Sequence, residues 1–339
     1  MIPENIFVKG IGTYRPEVVG VDTAIAQGLY SAEQAEQTGL LGATVSTDLS
    51  APEMALMASG QALERASTSA EQVDMLLYAD AFRAGPEGWL PHAYLQKRLV
   101  GGRAFAAGIR QGCNGVLGAL ELAAGYLQGS ADHAVALIAA GDNFTSADVD
   151  RWQCGRPHML LADGGAAVVL AKEGFARLAA IGSLALPEFE EMHRGTQPLL
   201  PAGRQLDFTD RLIEFEGTEN AEGFWMGYLT AAPKLMEQLL QDAGIAAGDL
   251  TRVFMQHASR DFVENGLLNL IEVPLDRSTW DFGRRIGHAG PSDYLMSFDH
   301  VLTTGEVGPG DYVLAFGVAP GFSLAGAIFH IVDRPGWVA

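Results

Sequence analysis

Strand-like runs at residues 7–12, 75–80, 134–140 and 165–170 are followed by four more at 178–182, 252–256, 312–317 and 326–332, in the same order and at similar spacing. A helical pattern precedes the second strand of each set, at residues 52–65 and 223–243, and each set closes on a hairpin-like pair after a glycine-rich turn. Strands interleaved with helices imply a layered α/β protein. Self-similarity over half the chain implies an internal duplication, with an N-terminal half at residues 1–172 and a C-terminal half at 173–339. Residues 187–220 are acidic and proline-dotted and read as an insertion or cap.

A chain of 339 residues can bury a large core. Its formal net charge of -19 argues against nucleic acid or an anionic membrane as the main partner, because a polyanion is repelled. A small acidic carrier protein would need a local basic patch, for which Arg103, Arg110, Arg151 and Arg156 are candidates. Two cysteines do not make a disulfide framework and suit a reducing cytoplasm. Residues 1–6 show no basic or apolar leader pattern, and no apolar run approaches the roughly 18 residues of a membrane span. The expectation is a soluble, cytoplasmic protein.

Cys113 stands in Arg110-Gln111-Gly112-Cys113-Asn114-Gly115, where a strand-like run gives way to a helical pattern at residues 116–127. A thiol in the first turn of a helix meets unsatisfied N–H groups and the positive end of the macrodipole, which favours its thiolate. On local grounds Cys113 has two readings, a nucleophile or a small buried hydrophobe. His257 follows the strand at 252–256, at the edge where catalytic side chains project in α/β sheets; alone it is equally a structural histidine. A third segment, Arg284-Arg285-Ile286-Gly287-His288-Ala289-Gly290-Pro291-Ser292-Asp293-Tyr294, is turn-rich and feeds an apolar helix. A fourth, at 316–323, is a glycine loop between two strands, able to present a backbone N–H to an oxyanion. Cys154 has no neighbouring histidine and no metal-ligand spacing to Cys113, and it reads as structural, as do His158 and His300.

The order and spacing of these four segments resemble β-ketoacyl-acyl-carrier-protein synthase III of the thiolase fold, over nearly the whole chain. The resemblance implies a five-layer αβαβα architecture of two duplicated halves, a homodimer, and a Cys-His-Asn site. Cys113 takes the place of the nucleophile, His257 of the histidine and Gly321 of the oxyanion-hole glycine. Asp163-Gly164-Gly165-Ala166-Ala167 resembles the family's Gly-Asp-Gly-Ala-Gly-Ala turn. Two departures stand out. Gly287-His288-Ala289-Gly290 replaces the family's Gly-Asn-Thr-Ser, so decarboxylative condensation is not expected. Residues 29–47 lack the Trp and Arg that grip the adenine of coenzyme A in the family.

A retained Cys with Gly-His-Ala-Gly-Pro-Ser-Asp is similar to a subgroup of synthase III-like acyltransferases of polyketide and glycoside antibiotic pathways. By that resemblance the chain uses no cofactor or metal. The acyl group arrives on the phosphopantetheine of an acyl carrier protein, or as acyl-coenzyme A, and is taken by Cys113. The backbone N–H groups of Cys113 and Gly321 hold the oxyanion, and the acyl group passes to a hydroxyl or to the thiol of a second carrier. His288 or His257 removes the acceptor's proton. Asp293 has two readings, an orienting carboxylate for an imidazole or an acid at a helix N-terminus. The rival readings are a condensing synthase III and a catalytically silent ketosynthase partner subunit.

Overall fold

In the computed structural model, which describes residues 1–82, 84–86, 88–200 and 206–338, the two sets of runs become two halves of one large sheet. The first half runs β1 (Phe7–Tyr14), β2 (Val18–Gly20), α1 (Val21–Ala26), α2 (Ala32–Thr38), β3 (Gly42–Thr44), α3 (Ala51–Arg65), β4 (Val73–Ala79), α4 (Pro91–Leu95), β5 (Phe105–Ile109), α5 (Gly115–Gln128), β6 (Val135–Asp142) and β7 (Gly164–Ala171). The second runs β8 (Ala176–Ala185), α6 (Phe208–Glu216), α7 (Phe224–Ala243), β9 (Leu250–Phe254), α8 (Arg260–Glu264), α9 (Trp280–Ile286), α10 (Asp293–Thr303), β10 (Tyr312–Ala319) and β11 (Ser323–Ile331). Residues 201–205, inside the expected cap, lie outside the described residues.

The strand order is β5-β4-β6-β7-β1-β8-β11-β10-β9, and within the sheet the two halves meet where β1 pairs with β8 through Phe7↔Arg177 and Val8↔Ala176. All eight expected strands are present. The β2–β3 ribbon, three residues a side, is too short for an alternation to register in the sequence.

Side-chain alternation builds the layers. Along β4, Met75, Leu77 and Ala79 enter a central core while Leu76 and Tyr78 enter an outer one against α3. Along β10, Val313 and Ala315 face the centre while Leu314 and Phe316 face the outer core under α7. Successive residues point to opposite faces and both faces are covered, so these strands read as unbroken apolar runs. The resulting order is α3, first half-sheet, α5 with α10, second half-sheet, α7: the five layers of the thiolase fold. Helix α10 is buried along nearly its whole length, as an inner-layer helix must be.

The outer helix α3 begins on a capping box in which Glu53 accepts from the Ser50 amide at 2.8 Å. It lies so close to β1 that a Cβ on Gly10 or Gly12 would overlap the Ala62 or Ala58 carbonyl oxygen. Only glycine fits there, and an added methyl would cost about 1–3 kcal/mol in displaced backbone. The parallel pairings β4–β5, β4–β6 and β9–β10 aim their carboxyl ends at the connections that carry Cys113 and His257, where α/β sheets place their chemistry.

Candidate active site

Strand β5 ends at Ile109, and a single 3-10 turn, Gly112–Asn114, leads into α5. Gly112 has φ +54, and a Cβ on it would stand 2.7 Å from Pro320 Cδ. The nucleophile's turn therefore rests directly on the glycine loop between β10 and β11.

Cys113 Sγ lies 3.0 Å from His288 Nε2, and His288 Nδ1 lies 2.5 Å from Asp293 Oδ2. Asp293 has no solvent exposure and also accepts the amides of Ala289 and His257, each at 2.8 Å. His288 is held by its backbone: its N–H donates to the Leu160 carbonyl and its own carbonyl accepts from Ala162, both at 2.8 Å. Gly287, at φ +76, makes the turn from α9 into this clamp. Asp293 opens α10 and also touches the imidazole, so both sequence readings of it describe the same residue.

Burial by itself would depress the His288 imidazolium. The Cys113 sulfur and the Asp293 carboxylate outweigh it and hold His288 well above its ordinary value. Burial would raise Asp293, yet the adjacent His257 and His288, with their hydrogen bonds, keep it below the usual carboxylate value. The arrangement is a sulfur in contact with an imidazole that is itself backed by a buried carboxylate, the order in which a nucleophile, its proton-transfer partner and an orienting group are placed in covalent catalysis.

His257 sits elsewhere. Its Nδ1 is 3.0 Å from the Gly287 carbonyl and its Nε2 is 3.0 Å from Ser297 Oγ, which in turn accepts from Thr279 Oγ1 at 3.1 Å. Burial lowers its pKa against the opposing pull of Asp293, whose Oδ1 lies 3.3 Å from Nδ1, and Nδ1–H donates to the Gly287 carbonyl. The sequence left His257 and His288 as alternative bases; the fold puts His288 on the thiol and gives both nitrogens of His257 to other partners.

The glycine loop is strained and anchored. Gly321 has φ +80 and Phe322 φ +48, a left-handed conformation that costs a non-glycine residue about 1–3 kcal/mol. Phe322 is held there by ring contacts to Phe224 at 4.7 Å, Tyr228 at 5.6 Å and Phe189 at 6.3 Å.

One basic-patch candidate falls away. Arg151 is buried and forms a two-armed ion pair with Asp163, 3.0 Å on each arm, because Asp163 has no exposure and needs a countercharge. Arg103, Arg110 and Arg156 remain exposed. Residues 29–47 do lack a Trp and an Arg, yet Trp152 and Arg156 come from another segment to line a cavity of about 200 Å³ with Tyr30 and Gln34. Cys154 is buried, which pushes its thiol up to about 12.

Three polar residues beside the site had no motif to mark them: Asn114, Gln256 and Tyr294, all buried. A fourth is Asp142, which accepts the Ala81 and Phe82 amides and lies so close to Gly290 that a side chain there would overlap it. Burial pushes its carboxyl well above the usual range.

Asp293→Asn is expected to slow acylation of Cys113 by on the order of 10³-fold, because an amide can leave the imidazole in the wrong tautomer. The depressed folded-state value also means that Asp293 adds stability above its unfolded value of about 3.9 and loses it as pH falls through the folded one. The variant's stability deficit in urea melts should therefore be full at pH 7 and shrink at pH 3. A deficit independent of pH would refute the assignment.

Two signatures of the 3-oxoacyl-[acyl-carrier-protein (ACP)] synthase III family match the chain, one over residues 108–185 and its C-terminal counterpart over residues 240–331. The solved structure of ChlB3, an acyltransferase, is 44% identical with a TM-score of 0.95, covering 98% of this chain and 99% of that one. The β-ketoacyl-[acyl-carrier-protein] synthase III of Methylococcus capsulatus is 30% identical over 168 residues, 48% of this chain and 50% of that protein. The chain thus spans about half the length of the curated relatives it matches. The synthase III of Aquifex aeolicus, 18% identical with a TM-score of 0.77 over 96% of this chain and 99% of that one, shares the fold. On these matches, and on a five-layer fold, the chain belongs to the 3-oxoacyl-[acyl-carrier-protein] synthase III-like proteins of the thiolase fold.

Proposed function

We propose that this protein moves an acyl group from a thioester on an acyl carrier protein, through an acyl-Cys113 intermediate, to a hydroxyl or thiol acceptor in secondary-metabolite biosynthesis. The observation that carries the reading is the continuous Cys113–His288–Asp293 relay, at 3.0 and 2.5 Å. The thiolate attacks the thioester carbonyl, and the tetrahedral oxyanion is met by the amides of Cys113 and Gly321. As the carbonyl re-forms, the carbon–sulfur bond to the phosphopantetheine breaks and the leaving sulfur takes the proton from His288. His288 is left neutral beside an uncharged acyl-Cys113. It then accepts the acceptor's proton as the acceptor attacks, and returns to the imidazolium when the Cys113 thiolate is released.

An imidazole in this place supports proton transfer. The experiment is intact-protein mass spectrometry after incubation with a panel of acyl thioesters, including malonyl. The expected result is an acyl mass on Cys113 from at least one donor and no carbon dioxide from malonyl thioester. Stoichiometric carbon dioxide with a β-keto product would replace this reading with condensation. Coenzyme A thioesters in the same panel decide between the two donor classes.

A homodimer is part of the proposal. Strand β5 is an unpaired sheet edge, and it and the neighbouring α5 leave Phe105, Leu122 and Tyr126 exposed. Native mass spectrometry of the same sample reads the subunit count, and a monomer at micromolar concentration overturns this part. Among the described residues no helix is long and apolar enough to cross a membrane, and both cysteines are free, which supports a reducing, cytoplasmic setting.

A further inference from the structure

We propose that Asn114 is a positioning residue which, with Tyr294, sets the glycine loop at a fixed distance from the Cys113 turn, so that the Gly321 amide meets the oxyanion as it forms. The inference rests on the acyl-enzyme reading above.

Asn114 follows Cys113 directly and has no solvent exposure. Its Nδ2 donates to the Ser323 carbonyl at 2.9 Å, with longer contacts of 3.4 Å to the Gly317 carbonyl and Ser323 Oγ. Gly317 and Ser323 lie on opposite sides of the turn that holds Gly321, so one carboxamide spans both arms of the loop. Its Oδ1 accepts from Tyr294 Oη at 3.1 Å. Tyr294 follows Asp293 directly, and its hydroxyl lies so close over Gly317 that any Cβ there would overlap it. From the third side Gln256, the residue before His257, accepts the Val318 amide at 3.2 Å through Oε1 and donates through Nε2 to the Val318 carbonyl. Each of three residues next in sequence to Cys113, His257 and Asp293 therefore grips the same loop.

Stability alone gives little reason for this choice. A buried amide and phenol that satisfy one another gain little over well-packed apolar side chains, whereas a satisfied network selects one geometry. Geometry is what an oxyanion site requires, since a misplacement of about 1 Å costs on the order of 10²-fold in rate. Gly321 and its neighbour Phe322 both sit at positive φ, and Gly321 itself is exposed, so the loop needs an external brace on the side facing Cys113.

Two reagents separate this role from a general structural one. Acylation by a small N-acetylcysteamine thioester passes through a tetrahedral oxyanion. Alkylation by iodoacetamide displaces iodide in one step without one, and depends on the thiolate and His288 alone. In the full-length protein, Asn114→Ala is expected to slow acylation by on the order of 10²-fold while leaving the alkylation rate unchanged. Tyr294→Phe keeps the ring and removes only the hydroxyl, so it should show a smaller loss of the same kind with an unchanged melting temperature. Equal losses in both reactions would mean that Asn114 acts through the thiolate pair or the fold, and no loss in either would mean that the loop needs no brace; each overturns the proposal. If Asn114→Ala does not fold, Tyr294→Phe decides by the same comparison. A wild-type protein that alkylates but gains no acyl mass from any thioester removes the acyl-enzyme reading, and this inference with it.

Discussion

Cys113→Ala is expected to abolish all acyl mass gain from thioester donors while the protein stays folded. The sulfur makes the residue's hydrogen bond to His288, and the side chain is part-exposed at the site rather than packed in one of the cores. Removing it forms no large cavity, so the stability change should stay within about 1 kcal/mol. The other thiol offers no substitute: Cys154 is buried and its pKa is pushed up to about 12, which leaves it protonated at neutral pH. Intact mass and a thermal melt on the same sample check both parts. An acyl mass retained by the variant would place the nucleophile elsewhere.

His288→Ala should slow both half-reactions, each by on the order of 10² to 10⁴-fold. From the sequence, His288 is expected to serve the second half-reaction, with acylation surviving its loss. The 3.0 Å contact between Nε2 and the sulfur ties it to the first as well, because the proton held there is the one the leaving thiol needs. Rapid-quench measurement of acylation, followed by transfer from pre-acylated protein to the acceptor, reads the two steps separately. Loss confined to the second step would mean that the thiol is activated without His288. The same variant leaves Asp293 with the His257 and Ala289 amides as donors, so the carboxylate stays satisfied and the fold should persist.

Strands β4, β6, β7, β10 and β11 were legible because each is covered on both faces, which writes a nearly unbroken apolar run into the sequence. Their repetition made the duplication visible. Helix α3 was legible through Pro52 and its apolar spacing, and α10 through the run after Tyr294. The β2–β3 ribbon was not, since three residues a side carry no period.

In the site, the sequence by itself determined the residue types: a lone Gly-flanked cysteine before a helix, a histidine where an amide was expected, and a glycine loop between two strands. Which histidine reaches the sulfur was decided only by the tertiary structure, because Cys113 and His288 lie 175 residues apart and no local pattern encodes a distance across two half-sheets. Arg151 reads as a surface charge until Asp163 is found buried against it. Nothing in the sequence marks Asn114, whose partners appear only when the loop at 317–323 folds over its carboxamide. In each case the deciding quantity is what a side chain's polar atoms face once water is gone, and that is set by the packing of the layers rather than by neighbours in the chain.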